Sequence, residues 1–275
     1  APTLMLVYLP HLDYPMQRLG RNVALLHDDL RALDREAGRL IQHFEQRGVQ
    51  VVIGSEYGIE DVQQPVHLNR VLREAGLLTV REELGRDLLE PGDSAAFAVA
   101  DHQLAHVYVN DRSRLADVKR LVEQTEGVER VYDESTRGQI ALDHPRSGEL
   151  IALASTGAWF TYYHWLDDAK MPDFARTVDI HRKPGYDPAE LFLDPGLRWP
   201  KLRIARRLAQ KAMGMRYLMD VIGLDAMVVR GSHGLRPPAP EDAPMLLSNR
   251  PEALGADSLD APQVRDVILR HCDLR

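Results

Sequence analysis

Apolar residues along this chain recur at two periods, and the periods sort it into helices and strands. Val23, Leu26, Leu30, Leu33, Ala37, Leu40, Ile41 and Phe44 follow one another mainly at steps of three and four, which puts them on one face of a helix. Gly48 stands where a C-terminal cap belongs. The short apolar runs on either side, residues 3–9 (TLMLVYL) and 49–53 (VQVVI), read as buried strands. A strand, helix and strand of this length predict a βαβ crossover, with parallel strands and a right-handed connection. The polar loops LDYPMQ and SEYG then both fall at the carboxyl ends of neighbouring strands. Open α/β sheets bind their ligands at that edge.

Residues 65–75 predict a second helix, with Pro65 near its start and Gly76 past its end. Residues 95–100 and 104–109 are strand-like and flank Asp101-His102-Gln103. Leu115, Val118, Leu121 and Val122 mark a further amphipathic helix, followed by strands at 128–132 and 150–154. Between Trp159 and Trp165, five of seven residues are aromatic. The Pro- and Gly-rich stretch 172–200 is too long for an ordinary loop and predicts a lid or cap. Residues 201–213 should be helical, and residues 226–229 should form a strand delivering Gly231-Ser232-His233-Gly234.

Composition narrows the classes. A chain of 275 residues can build one large core, or a core with a smaller lid. Its 44% hydrophobic and 27% charged residues are those of an ordinary globular protein. The net charge of −7 is spread without a basic run, which argues against a nucleic-acid polymer as partner. The lone Cys272 rules out an intrachain disulfide and an all-cysteine zinc site. It fits the cytoplasm, although a periplasmic protein without disulfides would read the same. No apolar run approaches the roughly 20 residues of a membrane span, so no membrane is expected. The run at 3–9 has neither a basic leader nor a small-residue cleavage site and is not a signal peptide.

Three polar clusters each follow an expected strand: Asp13 with Gln17, Glu56 with Tyr57, and His233. Carboxylates and an imidazole at one sheet edge suit a divalent metal, while each cluster alone also reads as a cap or a tight turn. His102 and His106 read as structural, because a step of four does not align two side chains on a strand of period two without a bulge. His181 and Lys183, with Arg176 and Arg182 nearby, form either a clamp for a substrate phosphate or a solvated turn. The aromatic run either stacks on a nucleobase or, the commoner use, packs a cap onto the core. Asp143-His144-Pro145 reads as a structural turn.

The wording of these segments carries a resemblance. YLPHLDYPMQRLG, VVIGSEYGI and VVRGSHG occur in that order, with ADHQLAHVYV, DHPRSGEL and PDFARTVDIHRKPGYDP between them. Together they resemble the type I phosphodiesterase/nucleotide pyrophosphatase family of the alkaline phosphatase superfamily, over residues 3–248. That family has a strand ending in Asp with His four residues later, then Ser-Asp-His-Gly after a strand, then Gly-x-His-Gly. The resemblance implies an α/β fold with a mostly parallel sheet flanked by helices. Residues 1–140 would be the core with the first two motifs, 141–214 an inserted cap, and 215–275 the return to the core with the third.

Residue by residue, the resemblance assigns Asp13 and His233 to one metal, and Glu56 to the Asp position of a second. Gln17 and Tyr57 stand where the family has histidines. An amide oxygen is a poorer zinc ligand than imidazole, and a neutral phenol is a weak one near pH 7. Zinc is the implied metal, with magnesium or manganese as alternatives. The family's nucleophile, Thr or Ser, lies before the segment that opens this chain, and nothing in residues 1–275 matches it. The expectation is therefore a C-terminal portion whose nucleophile comes from an upstream segment or a second chain. The implied activity is metal-dependent hydrolysis of phosphate esters or anhydrides in a small phosphorylated or nucleotide-like substrate. Its rival is a non-catalytic binding or assembly subunit that keeps the fold. A glycosidase built on Asp13 and Glu56 explains neither His233 nor the strand order.

Overall fold

Regular alternation of buried residues builds the largest sheet. Ala96, Ala98 and Ala100 point inward from the strand Ala96–Asp101, and Ala105, Val107 and Val109 from Leu104–Val109. A tight turn joins the two strands, and they pair antiparallel from Ala96 with Val109 to Asp101 with Leu104. Leu150–Ala154 pairs antiparallel with Leu104–Val109, and Val128–Asp133 closes the order on its far side. The computed structural model describes residues 2–237 and 239–274. The chain divides into two compact units, one of Ala1–Met16, Arg21–Ile59 and Arg236–Arg275, the other of Gln17–Gly20 and Glu60–Leu235.

In the second unit the helices Leu68–Glu74 and Leu115–Glu123 bury Leu68, Leu72, Val118 and Val122 in the core that includes this sheet. Each such side chain contributes about 1.5–3 kcal/mol when fully buried. The alanines on the inner face leave room for the bulkier helix residues. Trp159, Tyr162, Tyr163 and Trp165 form another cluster with Val62, Ala175, Ala226 and Val229. The two tryptophans are buried, so packing, not nucleobase stacking, is what the aromatic run does. The stretch 172–200 is held by short 3-10 turns, including Ile180–Arg182 and Pro188–Leu191, and lies in this same unit.

The first unit is built differently. Asn22 caps the helix Val23–Glu45, accepting from the Ala24 and Leu25 amides at 3.1 and 3.4 Å, and along the helix only Leu26 is fully buried. The strand Val52–Gly54 pairs antiparallel with Leu246–Ser248, and the helix Val264–His271 buries Val267 and His271.

The fold is mixed α/β, as expected, but four local expectations are corrected. The sheet is not mostly parallel; among named strands of the described residues, the parallel ladder is Gln64–Val66 against Ala158–Phe160. Short turns between alternating strands favour hairpins, whereas parallel pairing needs long crossovers. Residues 3–9 form no strand, and Leu6 is 81% exposed, so the βαβ crossover does not form. Pro65 lies in a strand, and the helix begins at Leu68. Residues 226–228 form a 3-10 turn, and the strand comes later, as Gly231–Ser232 paired with Glu60–Asp61. Among the described residues, no helix is long and apolar enough to cross a membrane.

Candidate functional site

In the first unit, Asp13 opens the helix Asp13–Leu19, where a carboxylate is favoured by the helix dipole. The Tyr57 hydroxyl donates to Asp13 Oδ1 at 3.0 Å, joining two motifs 44 residues apart in sequence. Burial, then this hydrogen bond and the charges of Asp13, Tyr8 and Glu56, hold the Tyr57 phenol well above its ordinary pKa. It is therefore protonated at neutral pH and acts as a donor to Asp13. The glycine after it is required by space: a Cβ on Gly58 would collide with the Asp242 carbonyl oxygen. Asp242 is itself paired with Arg21 at 2.5 Å.

In the second unit, the Gln17 side chain is buried, and its backbone carbonyl accepts from the Arg230 amide at 2.9 Å. His233 follows the strand Gly231–Ser232, and its ring lies against His102 with centroids 3.7 Å apart and planes at 32°. The other neighbour of His102 is the Tyr186 ring, at 4.4 Å and 27°. His102 occupies a left-handed backbone conformation, with φ 58°, in the turn between the two alternating strands. Burial, and secondarily His233, lower its pKa to about 3, so this imidazole is neutral at physiological pH.

This contact was not legible in the spacing of His102 and His106. The available signal was the tight DHQ turn between two alternating strands, which forces residue 102 out of strand geometry. His106 is structural as read, its Nδ1 accepting from the Gly148 amide at 3.2 Å. His144 also sits in a turn, with Nδ1 accepting from the Arg146 amide at 3.1 Å.

The basic loop has little free charge to offer. Lys183 is fully buried at its side chain, with Nζ 2.7 Å from both Asp187 Oδ2 and Glu190 Oε1. Arg182 pairs with Asp173 at 3.1 Å and Arg176 with Asp194 at 2.9 Å. His181 is exposed on the Ile180–Arg182 turn.

Within the first unit the fold thus brings Asp13 to Tyr57, with Glu56 in electrostatic range. Within the second it brings His233 to His102. Among the described residues, no three His, Cys, Asp or Glu side chains are gathered to hold a metal ion. Within the first unit, Tyr57 is a protonated donor to Asp13 and not a metal-ligating phenolate. The oxygen-only set of the first unit, Asp13 and Glu56, fits a hard cation such as magnesium or manganese.

A model of the type I phosphodiesterase/nucleotide pyrophosphatase family matches residues 1–187. No curated protein matches the chain. Similar solved structures include murine ectonucleotide pyrophosphatase/phosphodiesterase 5, at 12% identity and a TM-score of 0.45, covering 86% of this chain and 44% of that one. Phosphonoacetate hydrolase from Sinorhizobium meliloti 1021 is similar at 14% identity and a TM-score of 0.45, covering 95% and 49%. The chain spans about half the length of these structures.

Proposed function

This chain belongs to the type I phosphodiesterase/nucleotide pyrophosphatase family, and from that premise we propose that it serves the hydrolysis of phosphate esters or anhydrides. The substrate class is a small phosphodiester or nucleotide-type pyrophosphate. The observation that carries the reading is the junction of two motifs in one unit, the Tyr57 hydroxyl on Asp13 at 3.0 Å. Asp13 and Glu56 would hold a hard divalent cation, which when bound neutralises charge developing on phosphoryl oxygens. Tyr57 orients the Asp13 carboxylate by donating to its Oδ1. In the sequence motifs of the family, His233 and Gln17 stand at further ligand positions. No residue of this chain is assigned as the nucleophile.

The second reading, a non-catalytic subunit that retains the fold, is favoured by one observation. The phenol stands where imidazole is expected, and it is protonated and engaged with Asp13.

A chromogenic phosphodiester assay separates the two readings, run with zinc, magnesium or manganese on this chain and on a version extended upstream. The expected outcome is metal-dependent turnover in the extended version, greatest with magnesium or manganese, and reduced at least about 10-fold by Asp13→Asn. Calorimetric metal titration of wild type, Asp13→Asn and His233→Ala checks the ligand assignment independently. Metal binding without turnover in either version would establish the non-catalytic reading.

A further inference from the structure

The second unit contains a stack of three rings contributed by three distant segments, Tyr186, His102 and His233. Each member is held by backbone contacts of its own. His102 stands in a left-handed turn, a conformation that costs a non-glycine residue energy and persists only where the surroundings impose it. Its carbonyl accepts from the Phe160 amide at 2.7 Å. The next residue ties the turn to the His233 loop: the Gln103 amide donates to the His233 carbonyl at 2.9 Å. Gln103 Nε2 also donates to Glu60 Oε2 at 2.6 Å, and Glu60 pairs with Ser232 in the short antiparallel ladder. His102 Nδ1 lies 3.3 Å from Ser232 Oγ.

Tyr186 is delivered by a different device. Gly185 adopts φ 123° against the sheet edge, where a Cβ would collide with the Ala100 carbonyl oxygen. The Tyr186 amide then donates to that carbonyl at 2.9 Å. On either side of this contact, Lys183 and Asp187 form a buried ion pair at 2.7 Å.

These contacts hold the Tyr186 and His233 rings each against one buried imidazole, at 4.4 and 3.7 Å between centroids. We propose that His102, backed by Tyr186, is a positioning residue for His233 and sets the orientation in which the His233 imidazole is presented. The inference rests on the reading of His233 as a site residue, but the orientation itself can be measured without turnover. A ring held by packing on a rigid element keeps its direction, whereas a free side chain samples several rotamers. Lys183 thereby gains a role other than phosphate binding: with Asp187 it anchors the loop that carries Tyr186.

The test uses the whole chain with its histidines labelled for NMR, and His233→Ala to assign the His233 ring signals. Stacking on His102 should displace the His233 ring protons by ring current. His102→Asn keeps a residue type that tolerates the left-handed turn but removes the ring; it should abolish the displacement and leave the unfolding transition cooperative. His102→Phe restores a ring and should restore the displacement. Tyr186→Leu should shift the His102 signals and broaden those of His233. In the version of the protein that turns over, His102→Asn should lower kcat by about 10-fold with KM little changed, and His102→Phe should recover most of the loss. His233 signals unchanged in His102→Asn would overturn the proposal, as would an equal loss in His102→Phe. Absence of turnover in every version would count against the hydrolase reading alone, because the ring signals still decide the positioning.

Discussion

The hairpin Ala96–Asp101/Leu104–Val109 and the run at residues 3–9 start from similar apolar content and end in opposite states. In the hairpin every second residue is buried, and the ladder runs its whole length. In the run, Leu6 and Tyr8 are mostly exposed and no strand forms. The difference is not propensity alone, since the run also holds Thr3, Val7 and Tyr8, residue types that suit strands well. The hairpin finds its partner across a tight turn, so little chain entropy is lost in pairing. The run needs a partner from far along the sequence, and none of the described residues supplies a ladder. A strand is a relation between segments, and local relations are the ones a sequence reveals.

The largest effect that would test this contrast is a core deletion set against the same kind of deletion in the run. Phe160 is fully buried in the second unit, and Phe160→Ala should cost about 3–5 kcal/mol. Leu6→Ala should change stability by no more than about 0.5 kcal/mol. Urea unfolding followed by tryptophan fluorescence reports the second unit, which holds all three tryptophans, and far-UV circular dichroism followed alongside reports both units. Comparable losses from the two substitutions would mean that residues 3–9 are packed after all.

Acid should sharpen the contrast at a smaller scale. His67 sits with Nδ1 2.6 Å from Thr161 Oγ1, stacked on Tyr163 and near Arg70 and Asp168. Burial, then the Arg70 charge, lower its pKa from 6.5 to about 4. As pH falls the unfolded chain takes up the proton first, so the stability tied to neutral His67 is complete above about 6.5. It is lost progressively between about 6.5 and 4, on the order of 3 kcal/mol. The urea midpoint should fall over that window and fall less in His67→Gln. A midpoint independent of pH between 7 and 4.5 would contradict the burial argument.

The smallest effect concerns the first unit. Asn22→Ala removes the cap of the helix Val23–Glu45 and should cost about 1 kcal/mol. Amide hydrogen exchange should show faster exchange at Ala24 and Leu25 than elsewhere in the helix. Unchanged protection there would mean that side-chain packing, and not the cap, holds the first turn.

Much of the fold was legible because its signals are local. The strands expected at 95–100, 104–109, 128–132 and 150–154 and the helices expected over 23–44, 115–122 and 201–213 all form, to within a residue or two at their ends. What failed were the strand at 3–9 and the parallel crossover, which needed partners far along the chain, and two local readings, the helical start at Pro65 and the strand at 226–229. The same division runs through the site. Motif wording singled out Asp13, Glu56, Tyr57 and His233, since residue type in fixed order needs no third dimension. It gave no hint that Tyr57 donates to Asp13 or that Lys183 spends its charge on Asp187 and Glu190.

By itself, then, the sequence determined the family and the α/β class and named candidate site residues. These are written in composition, period and motif order. Only the tertiary structure decided strand direction, the Tyr57–Asp13 hydrogen bond and the contacts of His102 with Tyr186 and His233. Each of those depends on burial and on contacts between residues tens to more than a hundred positions apart, and neither is encoded in any single stretch of chain.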